Sequence, residues 1–253
     1  MYYGLYLSAS GVMANAYRQD VIANNLANSE TTGFKRDLAM FQERKTALRE
    51  RNNAGDFSDP LLEKIGGGLL VAPSLVDSQQ GDLENTDNPL DVGIQGAGYF
   101  TVSDGKAKSL TRDGAFMLSN TGDLVLSSSP SQHVLDEKGE PIHIAGGGKI
   151  EVLNNGGVLQ DGKPVARINL VDVADPSKFT KRGATLLSYP AEADLRPAAG
   201  EMHGGFQEHA NVDPARELAE LMDTQRQLEA NANMIKSQDS MLDKLVNDVA
   251  KIS

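Results

Sequence analysis

The sequence predicts an α+β fold, in which a central, irregular antiparallel β-domain is flanked by N- and C-terminal helices that form a coiled-coil-like stalk. Three observations predict it. Leu221, Leu228, Ile235, Leu242 and Val249 recur every seven residues, the stripe of a helix that packs lengthwise against another helix. Leu5, Val12 and Leu26 share one heptad position near the start, interrupted by Gln19 and flanked by the small-residue track Ala9, Ala16 and Ala23. Between these ends lie short apolar runs separated by Asp-Gly and Asn-Gly pairs, which is strand and turn chemistry.

Taken in chain order, the first element is a helix from about Gly4 to Asn28, closed by the polar cluster Asn28 to Gly33. After that break a shorter charged helix is expected over Phe34 to Arg51, so that residues 1–51 form an N-terminal helical assembly segment. Residues 52–68 turn polar and Gly-rich and are expected to be an irregular connector. An all-β domain is expected over residues 69–206, with strands at Leu69–Val71, Val92–Ile94, Tyr99–Val102, Phe116–Leu118, Leu124–Leu126, Ile150–Leu153 and Val165–Val173. Asp104-Gly105, Asp113-Gly114, Asn155-Gly156 and Asp161-Gly162 are expected to turn the chain between them.

Residues 207–253 form the C-terminal helical assembly segment. Asp213 is placed to cap it, Pro214 to occupy its first position and Glu217 to lie in its first turn. A helix from there to Val249 extends roughly 50–55 Å at about 1.5 Å per residue. Burying the five heptad side chains contributes about 7–15 kcal/mol, at about 1.5–3 kcal/mol each. Ordering the backbone costs roughly 1–2 kcal/mol per residue, so the helix needs a partner. The N-terminal helix offers little apolar area, and further copies of the chain are expected to cover the rest. The termini are therefore expected to be mobile in the monomer and helical in an assembly.

Composition narrows the function classes. The 253 residues carry a net charge of −11 and no cysteine. Disulfides, thiol catalysis and zinc–thiolate sites are excluded, and a nucleic-acid backbone is repelled because no basic patch overrules the whole. The first nineteen residues hold one charged side chain, Arg18, but no basic leader or continuous apolar stretch. A cleaved secretory signal is not expected, and neither is membrane insertion.

The segment VIANNLANSETTGFKRD, residues 21–37, places Asn24, Asn25, Leu26, Ala27 and Asn28 before a short spacer and then Gly33, Phe34 and Lys35. From its residues alone it is a capped helix followed by a turn. It also closely resembles the N-terminal signature of the bacterial flagellar axial proteins, the family of rod and hook subunits. NPLDVGIQGAGYFTV (residues 88–102), LTRDGAF (110–116) and TGDLVL (121–126) resemble that family's β-domain signature. The segment from Asn211 to Val249 resembles its C-terminal helix. Two departures stand out: Ala210 where the family commonly has serine, and Leu228 where it often has an aromatic residue.

The resemblance implies a structural subunit of the flagellar basal-body rod that polymerises through its terminal helices to transmit torque. Chain length implies a proximal or distal rod protein of intermediate length, and an ending that continues past Met241–Leu245 favours the proximal type, with the distal type as the alternative. The implied partners are copies of the chain, other rod and hook proteins and the flagellar export apparatus. The implied location is the periplasmic rod, reached without a cleaved signal peptide. The expected assembly interface comprises Leu5, Val12, Ile22, Leu26, Leu221, Leu228, Ile235, Leu242 and Val249.

No enzyme, cofactor or metal site is expected. Gly93, Gly96 and Gly98 have the wrong order for a dinucleotide loop, and Gly146-Gly147-Gly148-Lys149 lacks the Walker spacing and hydroxyl. His133, His143, His203 and His209 have no metal-ligand spacing. Asp91, Asp104 and Asp113 adjoin strand or turn signals and are expected to make local hydrogen bonds rather than act as an acid–base pair. Two other classes are retained for comparison: an exported β-domain acting as a binding module or cap on a helical stalk, and a periplasmic glycan hydrolase, which needs two carboxylates across a cleft.

Overall fold

The computed structural model describes residues 2–43, 68–146, 148–190 and 194–250, with side chains described from residue 4 to residue 247 within those limits. It is α+β, with a mostly β unit and a helix at each end of the chain. Two compact units are formed.

The first unit holds α1 (Tyr2–Ala27), β1 (Asp37–Glu43), β2 (Leu69–Val76) and α2 (Pro214–Ala250). α2 opens on Pro214 with Glu217 in its first turn, as a fixed φ and an acidic residue near the positive helix end favour. β1 and β2 form a two-stranded sheet. This corrects the expected helix over Phe34–Arg51: residues 37–43 are strand, and residues 44–51 lie outside the described residues, as does all of the expected connector except Gly68. The composition around Lys35 and Arg36 suits a helix, but two local features override it. Asn25 on α1 donates from Nδ2 to the Asp37 carbonyl at 2.9 Å and accepts from the Asp37 N–H at 2.9 Å, so one side-chain amide takes the place of a neighbouring strand. The Phe41 ring then stands edge-on to Tyr17 of α1 at 6.2 Å.

The second unit contains residues 27–36 and the described residues of 76–213. Its first strands are β3 (Leu83–Asn85), β4 (Val92–Gln95), β5 (Tyr99–Ser103), β6 (Lys108–Thr111), β7 (Phe116–Leu118), β8 (Leu124–Leu126) and β9 (His133–Val134). They are followed by β10 (Ile150–Val152), β11 (Gly157–Gln160), β12 (Lys163–Arg167), β13 (Leu170–Val173), β14 (Thr180–Arg182), β15 (Leu186–Ser188), β16 (Leu195–Pro197), β17 (Glu201–Gly204) and β18 (Phe206–Glu208). The main sheet runs β14-β15-β6-β5-β9-β8-β7, with β13 joining β5 and carrying β16. β10, β11 and β12 form a separate antiparallel sheet, while β17 pairs with β4 and β18 with β3.

β5 is the centre. One edge pairs with β6 along its length, and the other is shared by β13 at Tyr99–Phe100 and β9 at Val102–Ser103. Both faces are covered: Phe100 and Val102 enter a core with Leu124, Leu126, Val134 and Ile168, whereas Tyr99 enters a second core with Leu110, Val173 and Phe179. A strand buried on both sides carries apolar residues on both faces rather than alternating, which is why Tyr99, Phe100 and Val102 stand out in the sequence around the buried Thr101. Phe100 and Phe116 meet edge to face at 5.1 Å between centroids, a favoured aromatic geometry.

The expected strand Val165–Val173 is two strands, β12 and β13, which belong to different sheets. Ile168 between them is buried and donates to the Gly156 carbonyl, while Asn169 donates to that of Leu135. The apolar pattern continues while the hydrogen-bonding partners change, and periodicity cannot register such a change. At Asp161-Gly162 both residues have positive φ, 49° and 77°, as a tight β11–β12 hairpin requires. Asp113-Gly114 does not turn a hairpin. Gly114 is needed there because an added Cβ would lie 1.8 Å from the Val92 carbonyl oxygen.

Asp113 is buried beside that close approach, accepting from the Ala115 N–H at 3.1 Å and the Ser128 hydroxyl at 2.6 Å. Burial raises its carboxyl above the ordinary 3.8, outweighing those two donors. The folded chain therefore holds this proton more tightly than the unfolded chain. The resulting stabilisation is present in full below pH 3.8 and is lost as pH rises through the folded value. Urea titrations of the wild type and Asp113→Asn between pH 3 and 6 should show the wild type gaining stability relative to the variant as pH falls; a constant difference contradicts this account.

Candidate assembly interface and its buried anchor

α2 carries two kinds of heptad position. Leu221, Leu228, Ile235 and Leu242 are half-buried, and the alternate positions of the same repeat are Glu217, Thr224, Asn231 and Gln238. One side of the seam is apolar and the other polar. Against the polar side α1 presents glycines: an added Cβ on Gly11 would lie 2.9 Å from Asn231 Nδ2, and one on Gly4 would lie 3.1 Å from Gln238 Nε2. Arg18 follows, with Nη2 3.9 Å from Glu220 Oε2. Contacts that rise along α1 as they fall along α2 make the two helices antiparallel. That ion pair is partly exposed and is worth little by itself.

Of the expected interface residues, Ile22 is buried, whereas Leu5, Val12 and Leu26 are half-buried like Leu221, Leu228, Ile235 and Leu242 of α2. Val249 lies within α2, but its side chain is outside the described residues. Substantial apolar surface remains open on α2: Leu218, Met222, Met234, Met241, Leu245 and Val246 are exposed, as is Met13 on α1.

The second unit contains a buried charge cluster. Glu208 is fully enclosed. Its Oε1 accepts from Lys35 Nζ at 2.6 Å and the Gly81 N–H at 3.0 Å, and its Oε2 accepts from Arg112 Nη1 at 3.1 Å. Lys35 Nζ also donates to the Gln79 carbonyl at 2.6 Å and Arg112 Nη2 to that of Gly96 at 2.7 Å, while Arg112 Nε is buried without a hydrogen-bond partner. The Arg112 guanidinium also lies 5.1 Å from the centre of the Tyr99 ring, a cation–π distance. Burial pulls the Lys35 ammonium below its ordinary value despite the attraction of Glu208, and it pushes the Tyr99 hydroxyl up.

Around this cluster the segments next to the helices are tied together within the unit. The Gly33 N–H donates to the Glu208 carbonyl at 2.7 Å. Phe34 is fully buried and packs with Ala210 and Val212, and Lys181 Nζ stands 3.8 Å over its ring. Asn211 accepts from the Arg36 N–H at 2.7 Å and donates to the carbonyls of Asp77 and Gln79. Ala210, which stands where a serine was expected, therefore has a packing role against Phe34. Gly33 has φ +66°, and a Cβ there would lie 2.2 Å from the Asp113 nitrogen, so no other residue fits.

The motif residues thus divide by role. Asn25 docks β1, while Gly33, Phe34 and Lys35 enter the anchor. Asn28 accepts at its carbonyl from the Thr31 N–H in the turn between them, and Asn24 and Ala27 stay exposed on α1. Sequence inspection brought out Lys35 and the segments containing Arg112 and Glu208, but not their convergence. Their neighbours give no signal of burial, since Arg36 adjoins Lys35, Thr111 and Asp113 flank Arg112, and Gln207 and His209 flank Glu208, and a single sequence does not pair such charges.

Asp91 accepts from the Thr86 hydroxyl at 2.6 Å and Asn88 Nδ2 at 2.9 Å, and Asp104 accepts from the Lys106 and Ala107 N–H groups. His143 Nδ1 lies 2.9 Å from Asp123 Oδ1, and the Asp123 carboxyl is held below its ordinary value by that contact and by the Thr121 hydroxyl. Among the described residues no group of three or more His, Asp or Glu side chains is placed to hold a metal ion. No helix among them is long and apolar enough to cross a membrane.

Three family descriptions match the chain: "Flagella basal body rod protein" over residues 5–35, "Flagellar hook protein FlgE/F/G D1 domain" over 93–158 and "Flagellar basal body rod FlgEFG protein C-terminal" over 203–248. The chain is similar to flagellar basal-body rod protein FlgG of Buchnera aphidicola subsp. Acyrthosiphon pisum, at 32% identity over 95% of the chain and 97% of the relative. It is similar to FlgG of Bacillus subtilis at 30% identity over 96% and 97%. It is also similar to flagellar basal-body rod protein FlgF of Rhizobium meliloti, at 31% identity over 96% of each chain.

Breaking the buried cluster should cost unequally according to which charge is removed. Glu208→Gln leaves two cations buried without a carboxylate and should cost about 3–5 kcal/mol. Lys35→Met leaves Glu208 paired with Arg112 and the Gly81 amide and should cost less than half as much. Urea unfolding of the full chain measures both; equal losses contradict the assigned pairing.

Proposed function

The chain belongs to the family of flagellar basal-body rod proteins, and we propose that it is a structural subunit of the rod whose two terminal helices are its polymerisation segments. The observation that carries this is α2: it is 37 residues long, packs on α1 through a half-polar seam, and keeps large apolar side chains exposed. A helix that buries only part of its apolar surface within its own chain is suited to bury the rest against others. Leu5, Val12, Ile22 and Leu26 of α1, with Leu221, Leu228, Ile235, Leu242 and Val249 of α2, form the interface in this proposal. Together the two helices make the coiled-coil-like stalk.

Its partners are copies of itself and neighbouring axial proteins. A helically repeating, head-to-tail contact leaves each addition with an open face for the next. The family membership supports delivery by the flagellar export apparatus to the periplasmic rod. No catalytic role is proposed. The buried charges of the β unit have a structural one: they join residues 27–36 to residues 206–213 within one folded body.

The test is electron microscopy of basal bodies from a strain lacking the gene, complemented with the wild type or with Ile235→Asp. Rods should stop short without the gene, and the stopping point assigns the subunit to the proximal or the distal rod. Ile235→Asp should behave like the deletion while the purified variant keeps a folded β unit. Intact rods in the deletion strain overturn the structural reading in favour of an exported binding module, and normal incorporation of Ile235→Asp overturns the helix interface.

A further inference from the structure

The apolar stripe of α2 cannot select one alignment against α1. Leu221, Leu228, Ile235 and Leu242 are nearly equivalent, so a slide of one heptad, about 10 Å at 1.5 Å per residue, replaces each by a similar side chain. The polar half of the seam is not equivalent under such a slide. Asn231 and Gln238 are seven residues apart, as are Gly11 and Gly4, and each amide lies against one glycine.

We infer that Gly4 with Gln238 and Gly11 with Asn231 set the register in which α1 and α2 meet. The inference concerns one chain and stands apart from the rod reading. A slide of one heptad in one direction puts Gln238 opposite Gly11 but Asn231 opposite Arg18, and a slide in the other puts Asn231 opposite Gly4 but leaves Gln238 facing no glycine, so the observed register is the one that seats both amides on glycines. In the observed register both amides fill the space left by a missing Cβ, and Arg18 reaches Glu220. Polar residues at heptad core positions cost stability and select register, and here the glycines opposite them make one alignment sterically distinct. This gives glycine a function in a helix where alanine is otherwise the better former.

The chain has no native cysteine, so two introduced thiols report alone. Met13 and Met234 are exposed at 69% and 54%; spin labels on Met13→Cys and Met234→Cys of the purified full chain should give a single narrow distance distribution. Gly11→Leu should broaden it or displace it by about 10 Å. Adding Asn231→Ala should restore the parent distribution, whereas adding Gln238→Ala should not. For Gly4→Leu the rescuing partner should be reversed. A broad distribution in the parent, no response to Gly11→Leu, or rescue by either alanine alike overturns the inference.

Discussion

The β unit is organised around one enclosed carboxylate. Glu208 is held by the Lys35 ammonium, the Arg112 guanidinium and the Gly81 amide, and these donors lie far apart in sequence. A carboxylate in that position is costly to desolvate, and a buried ion pair often contributes little net stability over an apolar replacement. Its value is in what it excludes. An arrangement of residues 27–36 and 206–213 that left one of these charges buried without its partner would cost several kcal/mol. Phe34, Ala210, Val212 and the Asn211 amide complete the join, so the two strands of chain that lead to the helices are fixed side by side within one folded body.

The helical unit follows a different principle. Its seam is half apolar and half amide and glycine, giving a helix pair that is specified in alignment but modest in stabilisation. This suits a subunit whose helices also have to find other chains. A fully apolar seam would bind more tightly, but it would align less well and associate indiscriminately. The β unit supplies the opposite quality, with both faces of β5 enclosed and its edges paired with β6, β9 and β13.

Much of the fold was legible because the long-period signals are local. The heptad stripe and Pro214 located α2, and the apolar triplets 116–118 and 124–126 are strands with the expected limits. The failures have physical causes. Residues 37–43 have a helix-compatible composition, but they are held as a strand by the Asn25 amide, a contact made by the folded chain. β12 and β13 share one apolar run while belonging to different sheets. Short polar strands such as β3, β14 and β18 owe their existence to their partners, and nothing in their own side chains marks them. The anchor was legible only as motif residues, because its meaning lies in long-range pairing between positions 35, 112 and 208.

The most direct measurement of the anchor is amide hydrogen exchange in the intact chain. The Gly33 and Gly81 amides both donate to Glu208, one to its carbonyl and one to its carboxylate. If the buried cluster holds the unit together, both should exchange only through global opening, at the rate of Val102 and Leu126 in the core strands. Exchange of either at the rate of the exposed turn at Gly105 would contradict the account.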